Sequence, residues 1–490
     1  MPTTAFPPSR RILAGLSLAV LLPSLSVSIV NTGLPTLMQV FSTPFSAVQW
    51  VILGYLLAMT ALITSTGYLG DRLGRKRILL IGIALFCIAS LLATGAQDIT
   101  MLVMARIGQG LGAAAMTTLA MACVGEVIPK AKSGGALGLL GTMSAIGTTL
   151  GPALGGILID TMGWQAMFWV PIPLAVLAWV LISRYLPGQT DLSRQPTSNL
   201  DIPGMCWLMT TLLFYTLALT LERGHYGWLN GSLLMLALIS LAVLIAIERQ
   251  AANPLLAVHL FQDPQFSSGL IASVAATTVV MAALVVGPFY LGRFFDLNST
   301  QVGLVVSIGP AFATLTSFPA GRLVDRIGSA RTITQGLSAM LVASALLVCI
   351  PASWRVLGYA IPLALLTTGY ATFQTANNTA VLAHSQGGQR GLISGMLNLA
   401  RNLGLITGAS LMGATFAWVV NITGQQHAPT AARYGMQVTF AVATVLVLIA
   451  LVSQMRVKHA SPAKSSQENS SPHQAAIHQA ANRHASDDPY

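Results

Sequence analysis

Gly67-Tyr68-Leu69-Gly70-Asp71-Arg72-Leu73-Gly74-Arg75-Lys76-Arg77 returns 254 residues later as Gly321-Arg322-Leu323-Val324-Asp325-Arg326-Ile327-Gly328-Ser329-Ala330-Arg331, with six of the eleven positions identical. Charged residues are only 8% of this 490-residue chain, so two matching charged loops at a fixed offset mark two related halves. The loop chemistry is readable on its own. Gly67 and Gly74 permit a tight turn, Asp71 is placed to cap or face a helix N-terminus, and the basic run is placed to anchor on anionic headgroups.

Outward from the loops, composition excludes a soluble fold: 54% of residues are hydrophobic and mean hydropathy is +0.70. A soluble surface needs about a quarter of its residues charged. Between Arg11 and Asp71 there is no charged residue at all. Apolar runs bounded by charges or turn residues predict helices over 12–31, 47–69, 78–97, 100–126, 135–158 and 165–185, then 203–221 and 231–247, then 268–292, 299–320, 331–350, 356–380, 391–415 and 434–454. The fold class is therefore an all-α integral membrane protein with 14 transmembrane helices. The loop recurs after eight helices instead of six, so two extra helices sit between two six-helix halves. The resulting division is 1–11 as an N-terminal segment, 12–186 as the first bundle, 187–250 as linker and extra helices, 251–455 as the second bundle and 456–490 as a disordered tail.

The net charge of +11 raises nucleic-acid binding, but the basic residues lie in short segments between apolar spans, with no soluble domain to hold a groove. Nucleic acid is not expected as a partner; the lipid bilayer is. With the N-terminus inside, 19 of the 25 basic residues fall on internal segments, four (Arg223, Arg293, Arg355 and Arg433) fall outside, and Arg106 and Arg401 lie within spans. This asymmetry places both termini in the cytoplasm of an inner-membrane protein. Ser9-Arg10-Arg11 before an apolar run resembles a signal peptide or a twin-arginine signal; further spans follow at once and no small-residue cleavage site is evident, so it is read as an uncleaved first helix.

No metal or cofactor site is expected. Cys87, Cys123, Cys206 and Cys349 lie in apolar spans as packing residues, and His459, His473, His478 and His484 in the tail lack ligand spacing. Gly108-Gln109-Gly110-Leu111-Gly112 superficially resembles a nucleotide loop, yet no strand precedes it. There is no G-x-x-x-x-G-K, H-E-x-x-H or G-x-S-x-G, so neither ATP hydrolysis nor an embedded hydrolase is expected, and the chain is not read as an enzyme.

Four motifs together carry a resemblance. Gly67 to Arg77 resembles the loop signature of the major facilitator superfamily. Leu102 to Gly110 is similar to its helix-4 motif with a buried arginine, Gly147-Thr148-Thr149-Leu150-Gly151-Pro152-Ala153-Leu154-Gly155-Gly156 to its helix-5 antiporter motif, and Val30-Asn31-Thr32-Gly33-Leu34-Pro35 to the end of its helix-1 motif. To about residue 455 the chain resembles the fourteen-helix drug:proton antiporters. The resemblance implies gating loops at Gly67, Asp71, Arg72, Gly74 and Arg75 and at Gly321, Asp325, Arg326 and Gly328. It also implies a monomer that exports small amphipathic compounds, linked to protons.

Individual residues keep two readings. Arg106 lies about 10 Å into its helix, where a charge either faces a polar cavity or snorkels to the interface. The resemblance implies that Arg106 and Gln109 line the central cavity. Gly147, Gly151, Gly155 and Gly156, with Pro152 among them, form a small-residue seam with a weak point. In the second half Gln374, Asn377, Asn378, Asn398, Arg401 and Asn402 are the main polar groups at depth, and Arg401 is expected to face the cavity or a carbonyl cluster. Trp50, Tyr55, Phe289 and Tyr290 supply either cavity wall or packing.

One departure from the family matters. Many relatives carry a proton-coupling aspartate five residues before the asparagine matching Asn31, and here Ser26 stands there. Every acidic residue maps to a helix end, loop or tail, so the cavity is expected to prefer neutral or anionic compounds over permanent cations. A facilitator or importer of a small metabolite, and a non-transporting membrane sensor, are the alternatives.

Overall fold

The computed structural model describes residues 9–128, 130–187, 201–221, 227–251, 258–349, 351–383, 390–423 and 429–460, and among these the regular structure is entirely helical. The first half contains α1 (Ser9–Val40), α2 (Phe45–Leu73), α3 (Arg75–Thr94), α4 (Ile99–Val127), α5 (Lys130–Met162) and α6 (Ala166–Tyr185). Between the halves run α7 (Ile202–Thr220) and α8 (Trp228–Glu248). The second half contains α9 (Pro264–Phe294), α10 (Ser299–Ile327), α11 (Ser329–Cys349), α12 (Leu357–Ala383), α13 (Arg390–Ile422) and α14 (Pro429–Ala460). In α13 a π turn, Gly408–Met412, interrupts the α-helix.

Thirteen of these helices are long and apolar enough to cross a membrane. The other, α12, has the length at 27 residues but carries Gln374, Asn377 and Asn378. Helix ends differ from expectation at α1 and α14. α1 runs to Val40, through Pro23 and Pro35, instead of stopping near residue 31. In hydrocarbon an interrupted helix leaves backbone groups unpaired, so continuing is cheaper than stopping. α14 likewise reaches Ala460, past the expected start of the tail at 456. Most of that tail, 461–490, and the linker stretch 188–200 lie outside the described residues.

The duplication seen in the loops recurs in the packing. α3 crosses α4 at Gly82 and Gly112, where a methyl added to Gly82 would lie 3.1 Å from the Gly112 carbonyl oxygen. α11 crosses α12 the same way at Gly336 and Gly369, with the corresponding distance 2.8 Å. Gly336 follows Gly82 by the same 254 residues. Both crossings bring backbones into contact through missing side chains.

Within the first half, α5 lies along α1. Added methyls at Gly147 and Gly155 would fall 2.7 Å from the Leu21 and 2.9 Å from the Ile29 carbonyl oxygens, and Gly151 sits on Ser28. Ser24 and Ser144 hydroxyls are 2.6 Å apart, and Ser28 Oγ donates to the Thr148 carbonyl at 2.7 Å. The motif's last glycine turns to the other half: Gly156 abuts Ser299 of α10, and Gly303 abuts Pro152.

The two halves meet along α5 with α10 and α2 with α13. Their contacts gather at the end of the bundle away from the charged loops. There Thr300 N–H donates to Asp160 Oδ2 at 2.8 Å, Ala153 N–H to Ser307 Oγ at 2.9 Å, and Gln49 Nε2 to the Ala409 carbonyl at 2.7 Å. Phe45 packs on Phe289 and Phe416 with centroids 4.7 and 5.7 Å apart. Toward the loop end the hydroxyls of Thr149 and Thr314 still touch at 3.2 Å. Beyond them, Gly135, Gly138 and Gly141 of α5 and Gly321 of α10 have nothing within 4 Å of an added methyl. The bundle is sealed at one end, and its halves part at the other.

Candidate functional site: a buried arginine and an open polar wall

Arg106 is fully buried at 0% exposure. Its Nε donates to the Val51 carbonyl at 2.9 Å, and its Nη1 to Ser26 Oγ and Gln109 Oε1, both at 2.8 Å. Its guanidinium carbon stands 4.3 Å from the centroid of the Tyr55 ring. Gln109 Nε2 donates to Ser90 Oγ at 2.7 Å, and the Tyr55 hydroxyl to the Pro23 carbonyl at 3.2 Å. One guanidinium therefore ties α1, α2 and α4 together, and Gln109 extends the network to α3. Its Nη2 has no partner among the described residues, and no carboxylate touches the group. A buried cation of this kind costs several kcal/mol in desolvation, offset by charge-assisted hydrogen bonds and a π face.

Expected to line the central cavity, Arg106 and Gln109 are both enclosed at 0% exposure in this structure. Position along a helix gives depth but not the direction of a side chain. Tyr55 and Phe289 are likewise fully buried packing residues, Tyr290 nearly so, and Trp50 is half-buried. Asn31 is buried, with both amide atoms lacking partners among the described residues. Ser90, the Val51 carbonyl and Gln49 take part without having been singled out from sequence. Gln49, near the start of α2, reaches across to α13 through the Ala409 carbonyl.

In the second half Asn377 is buried and donates to the Gly269 carbonyl at 3.1 Å, joining α12 to α9. Gln374 and Asn378 are half-buried, and Asn402 is buried with its Nδ2 unpartnered among the described residues. Asn398 and Arg401 are exposed on α13. Of the two settings expected for Arg401, the cavity or a carbonyl cluster, the second is not found: no hydrogen bond or ion pair holds it among the described residues.

The two charged loops share a backbone turn. Gly74 and Gly328 have φ of +99° and +83°, and each N–H donates to the carbonyl four residues earlier at 2.9 Å. Their charges differ. Asp71 does not cap α3, whose N-cap is Gly74; it pairs with Arg75 at 2.7 Å. Nor does the basic run only reach outward: Lys76 Nζ donates to the Ser183 and Leu186 carbonyls at the end of α6, at 2.8 and 2.5 Å. Cations on orphan carbonyls at a helix C-terminus satisfy those carbonyls and complement the helix dipole. In the second copy Ser329 replaces Arg75, and Asp325 and Arg326 are exposed. Arg322 lies over the Phe318 ring at 4.5 Å.

A family model described as the Major Facilitator Superfamily matches residues 16–409. The riboflavin transporter RibZ of Clostridioides difficile is 28% identical over 400 residues, covering 82% of this chain and 86% of that one. The drug efflux pump JefA of Mycobacterium tuberculosis is 30% identical over 427 residues, covering 84% and 81%. Among solved structures, a bacterial homolog of the human lysosomal transporter Spinster, inward-facing and unoccupied, superposes with TM-score 0.67 at 14% identity over 92% of this chain and 98% of that one.

Proposed function

This chain belongs to the Major Facilitator Superfamily, and we propose that within it the protein is a secondary exporter of small amphipathic compounds, working by alternating access. The observation that carries this reading is the one-ended seal. The α5–α10 seam closes at Gly156–Ser299 and Gly303–Pro152, whereas the glycines of the same helices toward the loops stand free. A transporter needs two such states, each sealing one end about a central site.

The positive-inside rule assigns the charged loops to the cytoplasm, so the open end faces inward in this state and both termini are cytoplasmic. Export is supported by the antiporter-type glycine seam on α5 and by relatives named as efflux pumps, JefA among them. Arg106 is the central charge of the first half, and its contact with Ser26 marks where relatives of the resemblance hold an acid. Proton linkage therefore runs through a group other than a helix-1 carboxylate, or through a proton carried by the substrate.

A second reading, facilitated movement of a metabolite, is favoured by Ser26 itself and by the relative named as a riboflavin transporter. The deciding experiment is dye and drug accumulation in a pump-deficient bacterium expressing the chain, with and without a protonophore. Export predicts lower accumulation that rises when the protonophore is added. Equal or greater accumulation than in the empty strain, insensitive to the protonophore, supports the facilitator.

A further inference from the structure

Among the described residues, only Arg106 and Arg401 carry charge deep in the membrane; every described Asp and Glu lies at a helix end or in a loop. The structure separates these two arginines. Arg106 is enclosed by neutral partners, while Arg401 is exposed and has no partner among the described residues. Arg401 is eleven residues into α13, about 16 Å along a helix that crosses about 30 Å of hydrocarbon.

The direction of its face follows from the contacts of α13. Thr407 meets the Tyr215 hydroxyl of α7 at 3.2 Å, so that face turns to the extra helices. Asn398 is nine residues earlier, two and a half turns, and therefore on the opposite side. Gly404 packs on Val274 and Thr277 of α9, and Ala409 receives Gln49 of α2. Ser394, Asn398 and Arg401, spaced by four and three, form an exposed polar stripe between the α9 and α2 sides and away from α7. Behind it Ile393, Met396, Leu397 and Ala400 are buried with Phe266 and Leu270. The stripe thus faces the space between the halves, which is open toward the charged loops.

Resting on the exporter reading above, we infer that Arg401 is the specificity-determining residue for substrate charge, and that the substrate class is amphipathic organic anions. A guanidinium fork with no resident counter-charge, flanked by an amide and a hydroxyl, matches a carboxylate, sulfonate or phenolate. A permanent cation meets like charge there, with no acid at depth among the described residues to offset it. Arg106 already spends its Nε and Nη1 on protein atoms and organises the first half instead of contacting substrate.

The test is equilibrium binding to purified protein of two dyes on one xanthene scaffold, fluorescein as the anion and rhodamine 123 as the cation. Wild type is expected to bind fluorescein at least about tenfold more tightly than rhodamine 123, as a charge-assisted contact implies. Arg401→Gln should remove that preference, and Arg401→Lys should keep part of it. Asn398→Asp, which supplies an internal partner one turn before Arg401, should also abolish it in protein that elutes as a monodisperse species. A wild-type preference for the cation, no preference, binding of neither dye, or an unchanged preference in folded Arg401→Gln overturns the inference. Binding is read without transport, so a failed exporter reading shows separately, as anion binding without outward movement in cells.

Discussion

The two halves cross their third and fourth helices on the same glycine pair, yet they fill the crossing differently. In the first half Arg106 and Gln109 on α4 sit in a polar network with Ser26, Tyr55 and Ser90. In the second half the residues preceding Gly369 by the same six and three positions are Leu363 and Leu366, both buried and apolar. The loops repeat the lesson: one turn geometry, with an ion pair at Asp71–Arg75 and none at Asp325–Ser329. Backbone geometry is what the duplication preserved, because both halves pack their helices through the same glycine contacts. Polar chemistry is where the halves part company, the first holding an enclosed arginine and the second an open one.

The largest expected effect comes from Arg106. Arg106→Ala should abolish transport while leaving folded protein in the membrane, since the residue removed is a buried cation with no carboxylate partner among the described residues, and its loss relieves a desolvation cost even as it frees Ser26 and Gln109. Leu363→Ala, at the matching place in the second half, should cost about 2 to 5 kcal/mol of stability while transport by the surviving folded protein continues. Transport by folded Arg106→Ala at the wild-type rate would remove the arginine from the mechanism.

Next in size is Ser26→Asp. The new carboxylate would stand against Arg106 Nη1, now 2.8 Å from Ser26 Oγ. Such a pair gives the first half a titratable site, and we expect rhodamine 123 export to appear with a steeper pH dependence. An unchanged dye range and pH profile would mean that the network does not communicate with the substrate.

Smaller effects are expected at the loops. Asp71→Asn breaks the pair with Arg75 and should slow transport severalfold, whereas Asp325→Asn, with no ion pair among the described residues, should change it less. Equal slowing would show that the aspartates act through something both copies share. Gly74→Ala and Gly328→Ala should each destabilise by about 1 to 3 kcal/mol, and by similar amounts, because both residues hold positive φ. Thermal unfolding of the two variants checks this, and a clear inequality would break the symmetry of the turns.

Helix number, the two halves and the extra pair were legible because charge is so scarce that the repeated loop stands out against long apolar runs. Depth was legible too, since residues from a helix end convert to ångströms, which is how Arg106 and Arg401 were found. Direction was not. The mean hydropathy of a membrane helix gives no rotational signal when lipid and protein core are equally apolar, so sequence could not tell that Arg106 is enclosed and Arg401 open. Lys76 on the carbonyls of α6, and Gln49 on the carbonyl of Ala409, were hidden for the same reason: each joins residues more than a hundred positions apart through a backbone acceptor that any residue type supplies.

If the protein works by alternating access, the seal shifts from one end of the bundle to the other. Spin labels on a variant lacking Cys87, Cys123, Cys206 and Cys349 can report it as distances between the halves. One pair at Gly138 and Gly321 reads the loop end, and one at Met162 and Gln301 reads the sealed end. Double electron–electron resonance in lipid nanodiscs should show two populations for each pair, and added fluorescein should shift them in opposite directions, one end shortening as the other lengthens. A single unchanging distance at both ends, or both ends opening together, would contradict alternating access in this protein.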